Sequence, residues 1–226
     1  MRSLTLTLTL TLIVLLFAGL ALAQRHISFP APDGYLLRAD LYGKGPRGVV
    51  LAHGGRFTME SWDKQARILA KAGFRVLALD FRGYGQTIAG TQTSDDKSYP
   101  DVLTAVRYLH STGAKSVSVV GASMGGDAAA DAAIAARPEE IDRIVFLGSD
   151  GGDTPERLPG RKLFIVSRND ASAEGLRLPR ISEHYGRAPE PKQLVILEGS
   201  AHAQFIFDTD QSSRLMQELL RFLSEP

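Results

Sequence analysis

Between Gly48 and Leu197 the chain alternates short, mostly apolar runs with stretches whose apolar residues recur at helical spacing. The runs Gly48–Ala52, Phe74–Leu79, Ser116–Val120, Ile141–Leu147, Lys162–Val166 and Gln193–Leu197 are dominated by apolar residues, the pattern of strands covered on both faces. The stretches between them predict helices over Gln65–Ala72, Pro100–His110, Met124–Ala136 and, briefly, Arg180–Tyr185, with a last helix over Asp210–Leu223. Ahead of these, His26–Phe29 and Tyr35–Tyr42 flank Pro30-Ala-Pro-Asp-Gly34 and predict an antiparallel hairpin at a sheet edge. Apolar strands alternating with amphipathic helices mean an α/β fold, a mostly parallel central sheet with helices on both faces. Ligands of such sheets bind outside the carboxyl ends of the strands, so the loops there are where chemistry is sought.

Composition changes this picture at the N-terminus. Arg2, an uncharged run from Leu4 to Leu22 and Ala21-Leu-Ala23 read as a signal peptide over residues 1–23, cleaved before Gln24, with one catalytic domain over 24–226. The alternative is an uncleaved anchor, but Thr5, Thr7, Thr9 and Thr11 dilute the run, and it is short for a bilayer span. The expected location is therefore outside the cytoplasm, periplasmic or secreted. The chain has no cysteine, so an exported fold must rest on its core. Of 26 Lys and Arg only Arg2 lies in the leader, against 25 Asp and Glu, which leaves the remainder formally neutral. With no basic stripe, nothing points to nucleic acid or, after cleavage, to a membrane as partner.

The central run Ser116–Val120 leads into Gly121-Ala-Ser-Met-Gly125 and then a small-residue helix. A serine hydroxyl is a poor nucleophile unless it is exposed, touched by a base and flanked by N–H groups that receive an oxyanion. A G-x-S-x-G between strand and helix meets the first need: glycines at 121 and 125 allow the tight turn, Ser123 sits at its tip, and the Met124 N–H opens the helix. A plain glycine-rich turn is the alternative. Further strand ends carry His53-Gly-Gly55, Asp80, Asp150 and Asp153, Asp170, and His202. Serine, acid and histidine thus follow one another beyond different strands, the order of a hydrolase triad. Asp170 follows a strand directly, while Asp150 and Asp153 compete with it. Among five histidines only His202 lies in a small-residue loop beyond the last strand; His110 and His184 read as surface residues, and His53 as a brace for its loop. Asp80 reads as the anchor of the Arg82-Gly-Tyr-Gly85 turn. That Gly-x-Gly lacks the further glycine and lysine of a nucleotide loop, and no cofactor or metal is expected.

His53-Gly-Gly with Trp62, Val76-Leu-Ala-Leu-Asp80, Arg82-Gly-Tyr-Gly85, Gly121-Ala-Ser-Met-Gly-Gly126, Asp170 and Gly199-Ser-Ala-His202 together resemble the α/β-hydrolase family, specifically its small cap-less serine esterase and dienelactone-hydrolase-like branch. The resemblance implies Ser123 as nucleophile, His202 as general base and Asp170 as the residue that orients it. It also implies oxyanion donors at the N–H groups of Met124 and Gly55, with Arg56 the alternative for the second. Dienelactone hydrolases carry cysteine at the nucleophile position, so the serine here points to a small-molecule carboxylic ester as substrate. Arg56 is also a candidate for binding a substrate carboxylate. The alternatives are a non-catalytic binding protein on this fold, or a peptidase or thioesterase using the same triad. Gly148–Arg161 is too short and polar for a cap, and Tyr84–Ser98 is polar as well, so an open cleft and short acyl chains are expected.

Overall fold

The computed structural model describes residues 24–87 and 98–225. The leader and most of the stretch between Tyr84 and Ser98 lie outside those residues. Eight strands form one sheet: β1 (Arg25–Pro30), β2 (Leu36–Tyr42), β3 (Arg47–Ala52), β4 (Phe74–Asp80), β5 (Ser116–Ala122), β6 (Arg143–Leu147), β7 (Arg161–Ser167) and β10 (Lys192–Leu197). Their spatial order is β1-β2-β4-β3-β5-β6-β7-β10. The hairpin β1/β2 and the pair β2/β4 are antiparallel and every other pair is parallel, with Val50 of β3 between Leu77 of β4 and Val119 of β5.

The reason the inner strands are so largely apolar is visible in β3. Val49 and Leu51 pack into one apolar layer, Val50 and Ala52 into the other. Helix α1 (Asp63–Lys71) covers the first layer with Ala66, Leu69 and Ala70, and the C-terminal helix α5 (Ser212–Ser224) adds Leu215, Leu219 and Phe222. The second layer is covered by α2 (Tyr99–Ser111) and by α3 (Met124–Ala135), whose alanines let it lie close to the sheet. Helix α1 stops at Gly73, which takes the left-handed φ of +89° that a side chain would resist.

Helix α4 (Arg177–Arg187) is longer than the expected short helix, and a hairpin of two-residue strands, β8 (Ala171–Ser172) and β9 (Gly175–Leu176), precedes it. Two histidines read as surface residues need correction. His184 is 8% exposed: α4 buries a narrow face, with Ile181 and His184 one turn apart. His110 is half-buried, its ring nitrogens 3.2 Å and 3.0 Å from the carbonyl oxygens of Ala114 and Glu140. Between β6 and β7 the chain makes one 3₁₀ turn, Pro155–Arg157, and no cap. No helix among the described residues is long and apolar enough to cross a membrane.

Candidate active site

The turn from β5 into α3 holds Ser123 at φ 49°, ψ −120°, a left-handed backbone that a non-glycine residue occupies only when its surroundings force it. The forcing comes from close packing. A Cβ on Gly121 would collide with the Gly125 carbonyl, and one on Gly125 with the Ala52 carbonyl of β3. The Ser123 N–H donates to Leu147 O (2.9 Å) and its carbonyl accepts from Gly126 N–H (2.7 Å), which pins both sides of the turn.

His202 reaches Ser123 from the loop after β10. Its Nδ1 lies 2.7 Å from Asp170 Oδ2 and its Nε2 2.8 Å from Ser123 Oγ. An ionised carboxylate only accepts, so Nδ1 carries the proton, and Nε2 is free to accept from the serine hydroxyl. The Asp170 side chain is 1% exposed and that of His202 27%. Two cross-links join their loops: Asn169 N–H donates to Gly199 O (2.9 Å), and Ser167 Oγ donates to Ala201 O (2.7 Å). Asp150 and Asp153, the competing acids, do not reach His202. Asp150 instead pairs with Arg180 and lies 3.9 Å from His184 Nδ1, and Asp153 is exposed.

On one side of Ser123 runs the loop after β3. His53 is fully buried; Phe81 N–H donates to its Nε2 (3.4 Å) and its Nδ1 lies 2.9 Å from Gly54 O, so it braces the loop. Burial pushes its pKa below the usual histidine value, which keeps the ring neutral. Gln204, buried two residues past His202, accepts from Gly54 N–H (2.7 Å) and donates to Ser61 Oγ (2.8 Å). The Gly54 N–H is thereby occupied, whereas Gly55 stands next to Met124, its absent Cβ 3.7 Å from the Met124 sulfur. Gln204 did not stand out in the sequence, because its partner is 150 residues away. Arg56 is exposed. The rings of Phe57 and Phe205 pack against each other in this loop region, centroids 4.9 Å apart and tilted by 55°. Asp80 accepts from the N–H groups of Met59 and Gln86 (2.7 Å each) and so anchors the Arg82–Gly85 turn.

On the other side a cavity of about 370 Å³ opens beside Ser123, walled by Asp127, Ser149, Asp150, Arg177 and Arg180. Ser149 Oγ donates to Asp127 Oδ1 (2.7 Å). The protein enclosing Asp127 pushes its carboxyl up to about 6, and neighbouring Asp150 adds to the shift.

A parallel sheet covered on both faces, with a serine at the strained turn after its central strand, defines the α/β-hydrolase class of fold. Residues 48–208 match the family model for the alpha/beta hydrolase fold, and the chain belongs to that family. A bifunctional esterase/perhydrolase of Acinetobacter calcoaceticus is 36% identical over 86 residues, 36% of this chain and 30% of that protein. The chain spans about a third or less of the length of the curated relatives it matches first. An esterase of Pyrococcus furiosus superposes with a TM-score of 0.70 at 19% identity, over 91% of this chain and 93% of the esterase. A dienelactone hydrolase of Anabaena variabilis gives 0.71 at 22% identity, over 89% and 96% of the two chains. At such identities the likeness speaks to the fold.

Proposed function

We propose that this protein is an exported serine hydrolase that cleaves short-chain carboxylic esters through an acyl-enzyme. One observation carries the reading: His202 lies within hydrogen-bond distance of Ser123 Oγ through Nε2 and of a buried carboxylate through Nδ1. In the first step Ser123 Oγ attacks the ester carbonyl carbon while its proton passes to His202 Nε2. The carbonyl oxygen becomes an oxyanion between the N–H groups of Met124 and Gly55, and Asp170 stabilises the imidazolium without taking its proton. The C–O bond to the alcohol then breaks, and His202 returns the proton to the departing alkoxide. Water, deprotonated by His202 in turn, attacks the acyl-enzyme and frees the carboxylic acid and Ser123.

The substrate class follows from what surrounds Ser123. The connection after β6 carries no cap, and the adjoining wall is lined by carboxylates, arginines and serines that hold a long hydrocarbon chain poorly. Export rests on the leader pattern of residues 1–23, and the exported protein is expected to begin at Gln24 on N-terminal sequencing. The test of the chemistry is a fluorophosphonate, which should form a single adduct on Ser123. Absence of an adduct would make the chain a binding protein on a hydrolase fold.

A further inference from the structure

The buried acid of the site is satisfied on one oxygen only. Asp170 Oδ2 accepts from His202, while Oδ1, equally buried, has no hydrogen-bond partner. The cation nearest to it is Arg177, whose Nε is also buried and also without a hydrogen bond, 3.4 Å from Asp170 Oδ1. The two atoms thus face each other as an ion pair without hydrogen-bond geometry, and a small reorientation of the guanidinium would add a charge-assisted hydrogen bond to it.

The backbone brings Arg177 there. Beyond Asp170 the chain turns through the hairpin β8/β9, Ala171 pairing with Leu176, and the Arg177 N–H donates to Asp170 O (2.8 Å). A segment of six residues therefore leaves Asp170 and returns to it, closing where α4 begins. The Arg177 side chain keeps 37% of its surface exposed, and it forms part of the wall of the cavity beside Ser123. Nε thus faces the acid, while the side chain also borders the space a substrate would fill.

Resting on the hydrolase reading above, we propose that Arg177 is a positioning residue for Asp170: it holds the open oxygen of the acid and thereby the orientation of His202. The guanidinium stands against Oδ1 on the side of the carboxylate away from His202 and limits its rotation. This fixes the carboxylate, and through it the imidazole ring. The contribution belongs to the step in which His202 becomes charged, not to the initial hold on substrate, so it falls on kcat rather than KM.

The experiment compares wild type, Arg177→Gln and Arg177→Lys by steady-state kinetics on p-nitrophenyl acetate and butyrate, fluorophosphonate labelling rate and thermal melting. Arg177→Gln should lose about tenfold in kcat with KM within about twofold and an unchanged melting temperature, and should label more slowly at Ser123; Arg177→Lys should recover most of the loss. A wild-type kcat and labelling rate in Arg177→Gln would overturn the proposal. So would a fall in kcat that tracks a fall in melting temperature with lysine no better than glutamine, since the hairpin contact is then only structural. Failure of the wild-type protein to label Ser123 strikes instead at the hydrolase reading, and is seen in the same experiment.

Discussion

Two carboxylates in this molecule are buried to nearly the same degree beside arginine, and they are treated in opposite ways. Glu140, on the turn after α3, has a side chain 4% exposed; its Oε1 accepts from Arg107 Nε (2.9 Å) and Arg137 Nη2 (2.8 Å), and its Oε2 from the Arg137 N–H (3.0 Å). The hydrogen bond from Arg107, with those of Arg137 behind it and against the cost of burial, holds the Glu140 carboxyl down to about 2. Asp170 is 1% exposed, yet only one of its oxygens is bonded, and that bond goes to an imidazole. A carboxylate saturated by permanent charges holds two elements together and has nothing left to offer. One paired with a neutral ring gains most when the ring becomes charged, which on the proposed mechanism happens only during reaction.

The sharpest test of that contrast is on the group His202 serves. Ser123→Ala should abolish ester hydrolysis, a loss on the order of a million-fold, with an unchanged melting curve. A variant that keeps a tenth of the rate would end the assignment of the nucleophile. Next comes the acid itself. Asp170→Asn should lower kcat about ten-thousand-fold, because an amide on Nδ1 favours the wrong tautomer of His202. Asp150→Asn, which touches Arg180 and not His202, should change the rate little; a crippled Asp150 variant would transfer the role to that loop.

On the other side of the comparison the effect should be on stability and not on activity. Glu140→Gln should cost about 2 kcal/mol at neutral pH, read from denaturant unfolding, with ester hydrolysis intact. The sign of its pH dependence follows from the depressed pKa. The folded protein holds Glu140 at about 2 against an ordinary 4.5, so the stabilisation is complete above 4.5 and is lost as pH falls toward 2. Wild type and variant should therefore converge in stability across that window, and parallel curves would show that Glu140 contributes through packing alone.

The smallest expected effects concern what enters the cleft. The cavity wall holds more carboxylates, among them Asp127, Asp150 and Asp153, than its two arginines, Arg177 and Arg180. Esters whose acyl group bears an ammonium should be cleaved about fivefold faster than carboxylate counterparts at low salt, and the ratio should shrink in high salt. Along a p-nitrophenyl series from acetate to palmitate the optimum should fall at short chains, without a jump at the solubility limit. A long-chain optimum with such a jump would mean that part of the chain closes over the site as a lid.

Much of this architecture is written into the sequence, because the information is local. Strands such as Phe74–Asp80, buried on both faces, must be mostly apolar, and helices such as Asp63–Lys71 must carry an apolar stripe. The Ser123 turn is local too, since Gly121 and Gly125 are demanded by backbone contacts a few residues apart or with the adjoining strand. The order serine, acid, histidine is legible once the strands are placed. What no local pattern carries is which acid meets His202: that depends on Asn169 bonding Gly199 and Ser167 bonding Ala201, which fasten two loops from neighbouring strands. The same holds for Gln204, whose bond to Gly54 exists only when β3 and the last loop stand side by side. The β8/β9 hairpin is too short to show a period, so nothing in the sequence marked Arg177 as the residue that returns to Asp170. The burial of His184 is hidden for a related reason: a helix with a narrow buried face looks polar in sequence, and only the sheet beneath it decides which polar residue is covered. Periodicity determines elements because burial repeats along the chain; partners across the sheet are chosen by geometry, and that exists only after folding.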